Sequence, residues 1–377
     1  MMPVTGGYYQ WVKRALGLRW AFFEGWWTWL YTFTDLAIYP VLFVTYLSFF
    51  FPGADVYKIP ICLVIIWGSA AINILGIVSV GRASIILSAL VLIPFGIMFG
   101  YFIYTHHAQM SVPELNFKGK SFSAIGIGLY TVLWNFIGWD NVTTYAGEVH
   151  KPVRSYLVSV LMAFLLVFGI YFIATLVAIN TGISPETLDK NGFPSLGVLL
   201  GGRILGMILA AGGMASMLGL YSAVLLSVSR IPKVMSDDGL LPKLLNKLHP
   251  KYRSPYVSIL CCSVIVSGMV LWSFGELMII DITLYGAALF LEYIALIKFR
   301  IVQPEAHRPF RIPLGVPGLI IMALLPFAVY SIAVSAAFVE SGSTLKPVLF
   351  AVFALAIAEV GWQIVRWNKK KKDSKRE

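Results

Sequence analysis

Charge is what this sequence has least of. Asp, Glu, Lys and Arg make up only 12% of its 377 residues, about half the ~25% typical of soluble domains. A chain of this size needs more polar surface than that to remain in water, which argues against a soluble enzyme and against disorder. Cysteine is scarce as well: Cys62, Cys261 and Cys262 lie in apolar runs, and no Cys-x-x-Cys pair occurs. This pattern offers neither a disulfide framework nor a thiolate metal cluster, and reads as buried thiols. The five His are scattered without metal-ligand spacing. No apolar stretch with a small-residue cleavage site stands ahead of the first long apolar run, so no signal peptide is expected.

Apolar residues fill the space left by charge. They account for 58% of the chain, and the mean hydropathy is +0.80. They cluster in runs of about 20, the length that crosses a ~30 Å hydrocarbon core as a helix. Ten spans are expected, near 20–49, 59–80, 83–104, 123–146, 155–179, 204–228, 256–276, 280–298, 317–338 and 346–366, within one transmembrane domain covering 1–377. The fold class is therefore all-α, a polytopic membrane protein. With the first residues placed in the cytosol and the spans alternating, 23 of the 29 Lys and Arg fall inside and 6 outside. That bias fits the positive-inside rule. It also accounts for the net charge of +11 through anionic lipid rather than nucleic acid. Both termini come out cytosolic, and 367–377 forms a basic tail.

Carboxylates inside such spans are costly and usually functional. Asp35, Asp140, Asp281, Glu292 and Glu359 qualify, with Glu24 near an interface, and no intramembrane Lys or Arg stands opposite them. For Glu24, Asp281 and Glu359 the plain reading is a carboxyl near a membrane edge that reaches water. Asp35 and Asp140 lie deeper in their spans.

The segment from Ile125 to Glu148 is the most informative. Trp134, Asn135, Gly138, Trp139, Asp140, Asn141, Thr143 and Thr144 crowd its middle. A helix facing lipid has no use for them, whereas a helix broken at Gly138 would offer free backbone groups at membrane depth. Such backbone is tolerated only within protein or along a cavity. The competing reading is an intact helix packed through small and polar residues. Next come Glu148, Lys151, Pro152 and Arg154, a helix start and cytosolic anchor with a gating role for Glu148 as the sharper alternative. The span near 204–228 is rich in Gly, Ala and Ser, which suits close packing or a cavity wall where Met217 and Tyr221 touch ligand. The stretches Arg230–Pro242 and Arg308–Pro313 both read as solvated charged connectors, the second positioning a helix along the interface.

Taken together, several blocks resemble the amino acid-polyamine-organocation (APC) permeases. They are Gly6 to Gly17, Phe23 to Trp29, Asp35 to Phe43, Trp134 to Glu148 with Pro152 and Arg154, Ser229 to Pro242, Ser254 to Tyr256 and Pro304 to Pro313. The similarity runs over nearly the whole chain and points to the polyamine and amino acid branch. It implies a LeuT-like fold, a five-plus-five inverted repeat with two further helices, in which this chain supplies helices three to twelve. The first helix and most of the second are absent from the sequence. By the same resemblance Trp134, Ile137, Gly138, Trp139 and Asp140 form the unwound binding segment, with Asp35, Met217 and Tyr221 as further substrate contacts. Asp140 would couple transport to protons or another cation, and Glu148 would gate. No cofactor and no metal are implied. The partners are a small amino acid or polyamine and the lipid bilayer, in the plasma (inner) membrane. Secondary transport competes with a non-transporting remnant of such a permease, and less strongly with a channel, a receptor or an enzyme embedded in lipid.

Overall fold

Backbone N–H and C=O groups in lipid must be paired within their own segment, so apolar runs of this length have to be helical. The computed structural model describes residues 4–106, 122–184, 186–188, 192–308, 310–339 and 345–373. Among them are twelve α-helices: α1 Gly7–Leu16, α2 Leu18–Ser48, α3 Lys58–Ile74, α4 Ile77–His106, α5 Phe122–Phe136, α6 Pro152–Thr181, α7 Phe193–Val228, α8 Arg230–Asp237, α9 Tyr256–Met269, α10 Phe274–Val302, α11 Val316–Val339 and α12 Leu345–Asp373. Eight of the described helical stretches are long and apolar enough to cross a membrane.

Two of the ten expected spans come out shorter. The segment near 123–146 is helical only to Phe136, and the one near 256–276 stops at Met269. In the second case a capping box intervenes. The Ser273 side chain accepts from the Glu276 backbone N–H, and the Glu276 carboxylate accepts from the Ser273 backbone N–H. This fixes the start of α10 at Phe274, six residues ahead of the expected edge. Helix α7 also begins early and bends at Gly201 and Gly202, whose backbones leave the helical region.

The chain divides into two compact units, Met1–Asp35 with Gly119–Arg154 and Leu226–Glu377, and Leu36–Lys118 with Ser155–Leu225. Divisions fall inside α2, α6 and α7, so neither unit is a separable stretch of sequence. The second unit has a core of Met98, Phe102, Val177, Leu196, Leu205 and Leu209. Small residues let its helices approach: Gly212 lies against the Leu90 carbonyl and Pro94, and Gly213 against the Tyr46 ring. In contrast, α6 turns Leu161, Met162, Phe164, Leu165 and Phe168 outward, as a helix wetted by lipid does.

The first unit contains a polar plate of short helices that the sequence reading missed. Arg230–Pro242 is not a solvated connector. Its first eight residues form α8, where Arg230, Ile231, Val234 and Met235 are buried. Ile231, Val234 and Met235 share a cluster with Tyr8, Tyr9 and Val12 of α1 and Phe22 of α2. Nor does a helix form along the described part of Arg308–Pro313. There Arg308 donates to the Phe299, Gln303, Pro304 and Ala306 carbonyls, while Arg300 donates to those of Ile312 and Leu314. These arginines hold the connection between α10 and α11 in place of regular structure.

Helices α5 and α11 meet at Gly126, where an added Cβ would come within 1.9 Å of the Ala336 Cβ. Gly126→Leu should therefore separate them and lower the Tm of the detergent-solubilised protein by several degrees, an overpacking cost of about 1–3 kcal/mol. Gly128→Leu, two residues on and therefore on the opposite side of the helix, with open space at its Cβ position, should leave the Tm unchanged in the same thermal-shift measurement.

Candidate functional site

Helix α5 ends at Phe136, and α-helix does not resume until Pro152. Gly138 takes φ +86°, the left-handed region that favours glycine. The chain then makes two 3-10 turns, Asn141–Thr144 and Ala146–Glu148. Lys151, held ahead of Pro152, has φ 50°.

Each turn of this irregular stretch finds partners inside the first unit. The Gly138 carbonyl accepts from the Asn141 N–H at 3.2 Å, and the Asp140 carbonyl from the Thr143 N–H at 2.9 Å. The Thr143 hydroxyl also donates to the Asp140 carbonyl at 2.7 Å. The Thr144 hydroxyl donates to the Asn141 and Ser227 carbonyls at 2.8 and 3.2 Å. The Thr144 carbonyl accepts from the Gly6 N–H at 2.7 Å. Thr5 and Tyr145 form an isolated antiparallel bridge. This approach is close enough that a Cβ on Gly7 would lie 2.4 Å from the Thr143 Oγ1. The start of α1 is thus a backbone clamp on the interrupted segment.

Side chains anchor it at both ends. Near its start Tyr8 donates to Asn141 Oδ1 at 3.4 Å. At its end Arg230 grips Glu148 with two nitrogens, at 2.7 and 2.9 Å, and also donates to the Leu226 carbonyl. The guanidinium is 3% exposed and the carboxylate 35%. The plate beneath is tied by Asp238, which accepts from Tyr9 and Lys13 at 2.6 Å each. Burial, reinforced by that carboxylate, holds the Tyr9 hydroxyl well above the ordinary phenol range and keeps it a donor.

Asp140 is 2% exposed, and its Oδ1 accepts from the Tyr285 hydroxyl of α10 at 3.0 Å. The Tyr285 ring packs edge-on against Tyr31 of α2 with centroids 5.1 Å apart. Asp140 also interacts electrostatically with Glu24 and Glu292. The edge reading of two carboxylates fails here, since Glu24 and Asp281 are both 0% exposed. Neither oxygen of Asp281 has a hydrogen-bond partner, and the same holds for Glu24 Oε2. Glu359 does reach solvent, but it has a partner after all in Arg19, at 2.8 Å.

The remaining expected site residues fare differently. Asp35 is buried in the first unit and interacts with Asp281. Trp134 packs edge-on against Phe274 at 5.7 Å, with its Nε1 unbonded. Ile137 is half-buried. Trp139 is 51% exposed. Met217 and Tyr221 are buried in the second unit. That unit contains an apolar cavity of about 870 Å³ lined by Ile65, Ile72, Ile86, Leu87 and Leu218 among others, but by neither Met217 nor Tyr221. Its lining has no charged group, so it offers nothing to an ammonium or a carboxylate. Tyr8, Tyr285 and Arg230 were not singled out as site residues. The one available signal was helical spacing: Tyr285 is four residues from Asp281 and seven from Glu292, on the same face of α10.

Comparison with known proteins bears on this arrangement. Residues 1–358 match the family profile described as amino acid permease. A probable polyamine transporter of Arabidopsis thaliana is 35% identical over 335 residues, covering 86% of this chain and 67% of the relative. The polyamine transporter RMV1 of the same plant is 32% identical, covering 96% and 72%. The branched-chain amino acid permease BcaP of Bacillus subtilis is 27% identical, covering 86% and 73%. The chain spans about two thirds to three quarters of the length of these relatives.

The Arg230–Glu148 pair gives a direct test of the segment's anchorage. Arg230→Met strands the Glu148 carboxylate and should cost about 2 kcal/mol, because a part-buried charge loses its hydrogen bonds. Adding Glu148→Met should recover most of that loss. Hydrogen exchange over residues 141–149 should rise in the single variant and return towards the parent in the double variant.

Proposed function

Because the chain belongs to the amino acid permease family, we propose that it carries amino acids or polyamines across a membrane by secondary transport, not by catalysing a covalent reaction. The observation that carries this reading is the break at Gly138 with a buried carboxylate two residues on. Irregular backbone next to Asp140 is costly in a membrane protein unless a polar solute uses it.

In this reading the N–H and C=O groups near Ile137 and Gly138 receive the charged end of the solute. Trp134 and Trp139 bound the site, with Asp35 as a further contact. Asp140 senses the coupling cation or proton, and its bond to Tyr285 is the contact that protonation would alter. Glu148, released from or held by Arg230, governs the cytosolic end. The fold reading that goes with this is a five-plus-five inverted repeat of about ten spans, in which 20–49, 59–80 and 83–104 mirror 204–228, 256–276 and 280–298. The protein then resides in the plasma (inner) membrane with both described ends in the cytosol, as the 23 to 6 charge split favours.

Transport is tested with the 377-residue chain in liposomes under an imposed pH gradient. Labelled putrescine, arginine and leucine should show saturable uptake of at least one, competed by the unlabelled compound. Asp140→Asn should cut that uptake at least tenfold while the protein stays folded by size-exclusion chromatography. Failure of all three compounds both to enter and to bind would overturn the transport reading. Full uptake by Asp140→Asn would remove Asp140 from the site.

A further inference from the structure

The apolar cavity of the second unit is a groove that follows one helix. Pro60, Val64, Gly68 and Ile72 of α3 recur every fourth residue in its lining, which makes one stripe along a helix face. From Pro60 to Ile72 the stripe covers roughly 18 Å at 1.5 Å per residue. Ile86 and Leu87 of α4 and Leu218 of α7 line the other side. Those two helices touch, since a Cβ on Gly219 would lie 3.3 Å from the Leu87 Cβ. Helix α3 stands off from them: a Cβ on Gly68 would meet nothing within 4 Å. Asn73 fixes it in that position. Its side-chain amide donates to the Ser69 carbonyl at 3.0 Å and across to the Ser222 carbonyl of α7 at 3.2 Å. The groove opens outward, with Val64 73% and Ile86 63% exposed.

Ordered water does not suit such a lining, because each molecule needs two or more polar partners. Hydrocarbon does. An alkyl chain of ~1.5 Å C–C bonds advances about 1.25 Å per bond, so 16 carbons cover ~19 Å, the length of the stripe. Apolar match alone does not favour one lipid over another, because bulk lipid tails are as apolar as the groove. Selection needs a head group, and a cation stands beside the groove. Arg82 is the only Asp, Glu, Lys or Arg of α4. It lies four residues before Ile86, one turn nearer the α3–α4 connection on the same helix face. It is exposed and forms no ion pair with any described residue. An arginine on an apolar helix reaches for the membrane interface, where the available anion is a lipid phosphate.

We propose that the groove between α3, α4 and α7 is a site for one anionic phospholipid, of the phosphatidylglycerol kind, with its phosphate on Arg82 and one acyl chain lying along α3 towards Pro60. The head group stays outside the groove, near the α3–α4 connection, so the lipid belongs to the leaflet on that side. Phosphatidylcholine brings the same tails and phosphate but sets a cationic choline beside the guanidinium, which weakens the attraction. The acyl chain gives the open face of α3 the packing partners that α4 and α7 do not supply. The site requires helices that cross a membrane and is independent of what the protein transports.

The test places the 377-residue chain in phosphatidylcholine nanodiscs. These are doped with phosphatidylglycerol or phosphatidylcholine carrying a photoreactive diazirine midway along one acyl chain. Labelled peptides are mapped by mass spectrometry, and the outward face of α6, residues 161–168, measures ordinary contact with surrounding lipid. The phosphatidylglycerol probe should label residues 60–72 and 86–87 about fivefold more than the phosphatidylcholine probe does, the preference one cation near a lipid surface confers. Labelling of α6 should be alike for the two. Arg82→Gln should remove the preference. Gly68→Trp fills the groove and should bring its labelling down to the level of α6, with Gly68→Leu as the smaller filling if the tryptophan variant does not elute as a folded protein. Groove labelling no greater than that of α6 in the parent, a preference that survives Arg82→Gln, or groove labelling that survives the filling variant would each overturn the site. Cross-links from the groove to a second copy of the chain would overturn it in favour of a self-association surface.

Discussion

A membrane gives polar backbone nowhere to turn but inward, and the structure is organised around one stretch where that constraint bites. Between Phe136 and Pro152 the chain is without α-helix, so its amides and carbonyls cannot pair along their own axis. They are met instead by hydroxyls of Thr143 and Thr144, by the backbone at Gly6 and by short 3-10 bonds. The start of α1 can approach only because Gly7 has no side chain. The α1–α8 plate in turn requires Asp238 to bind Tyr9 and Lys13 together. Features far apart in sequence therefore serve one local problem.

Charge follows the same logic. The first unit buries Glu24, Asp35, Asp140 and Asp281, yet of its buried arginines Arg230 is committed to Glu148 at the far end of the break and Arg300 to the Ile312 and Leu314 carbonyls. Asp140 has a neutral donor, Tyr285, and Asp281 has none. Pairing each acid with a lysine or arginine would have been the stabilising solution in a purely structural bundle. Leaving the Asp281 carboxyl without a donor costs stability. The apolar cavity of the second unit shows the contrast: its lining carries no charged group.

The properties legible in the sequence were those a single segment can express. Run length and hydropathy gave the long apolar helices, and Gly138 amid polar residues marked the break. Properties that depend on register between segments were not legible. Arg230 looked like part of a charged connector because nothing in Arg230–Pro242 says that Glu148 will lie opposite it. Glu24 and Asp281 looked like edge residues because they sit near the ends of their apolar runs. The capping box at Ser273 and Glu276 lengthened α10 and carried Asp281 well inside it, and that signal was local and readable.

Helices α2 and α10 make the distinction sharper: the Tyr31 ring packs on Tyr285, Asp35 interacts with Asp281 and Glu24 with Glu292. Neither helix alone suggests a ladder: α2 contributes Glu24, Tyr31 and Asp35 at spacings of seven and four, and α10 contributes Asp281, Tyr285 and Glu292 at four and seven. Each set is an ordinary helical face. One spacing is the reverse of the other, however, and two faces with mirrored spacing match rung for rung only when the helices are antiparallel. Sequence therefore held the ladder in a form that becomes readable once the relative direction of the two helices is known. Alternation of the expected spans supplies that direction, since the first and the eighth of them cross in opposite senses. Mirrored polar spacing on oppositely directed spans is thus a pairing signal that apolar periodicity, which repeats every turn, cannot give.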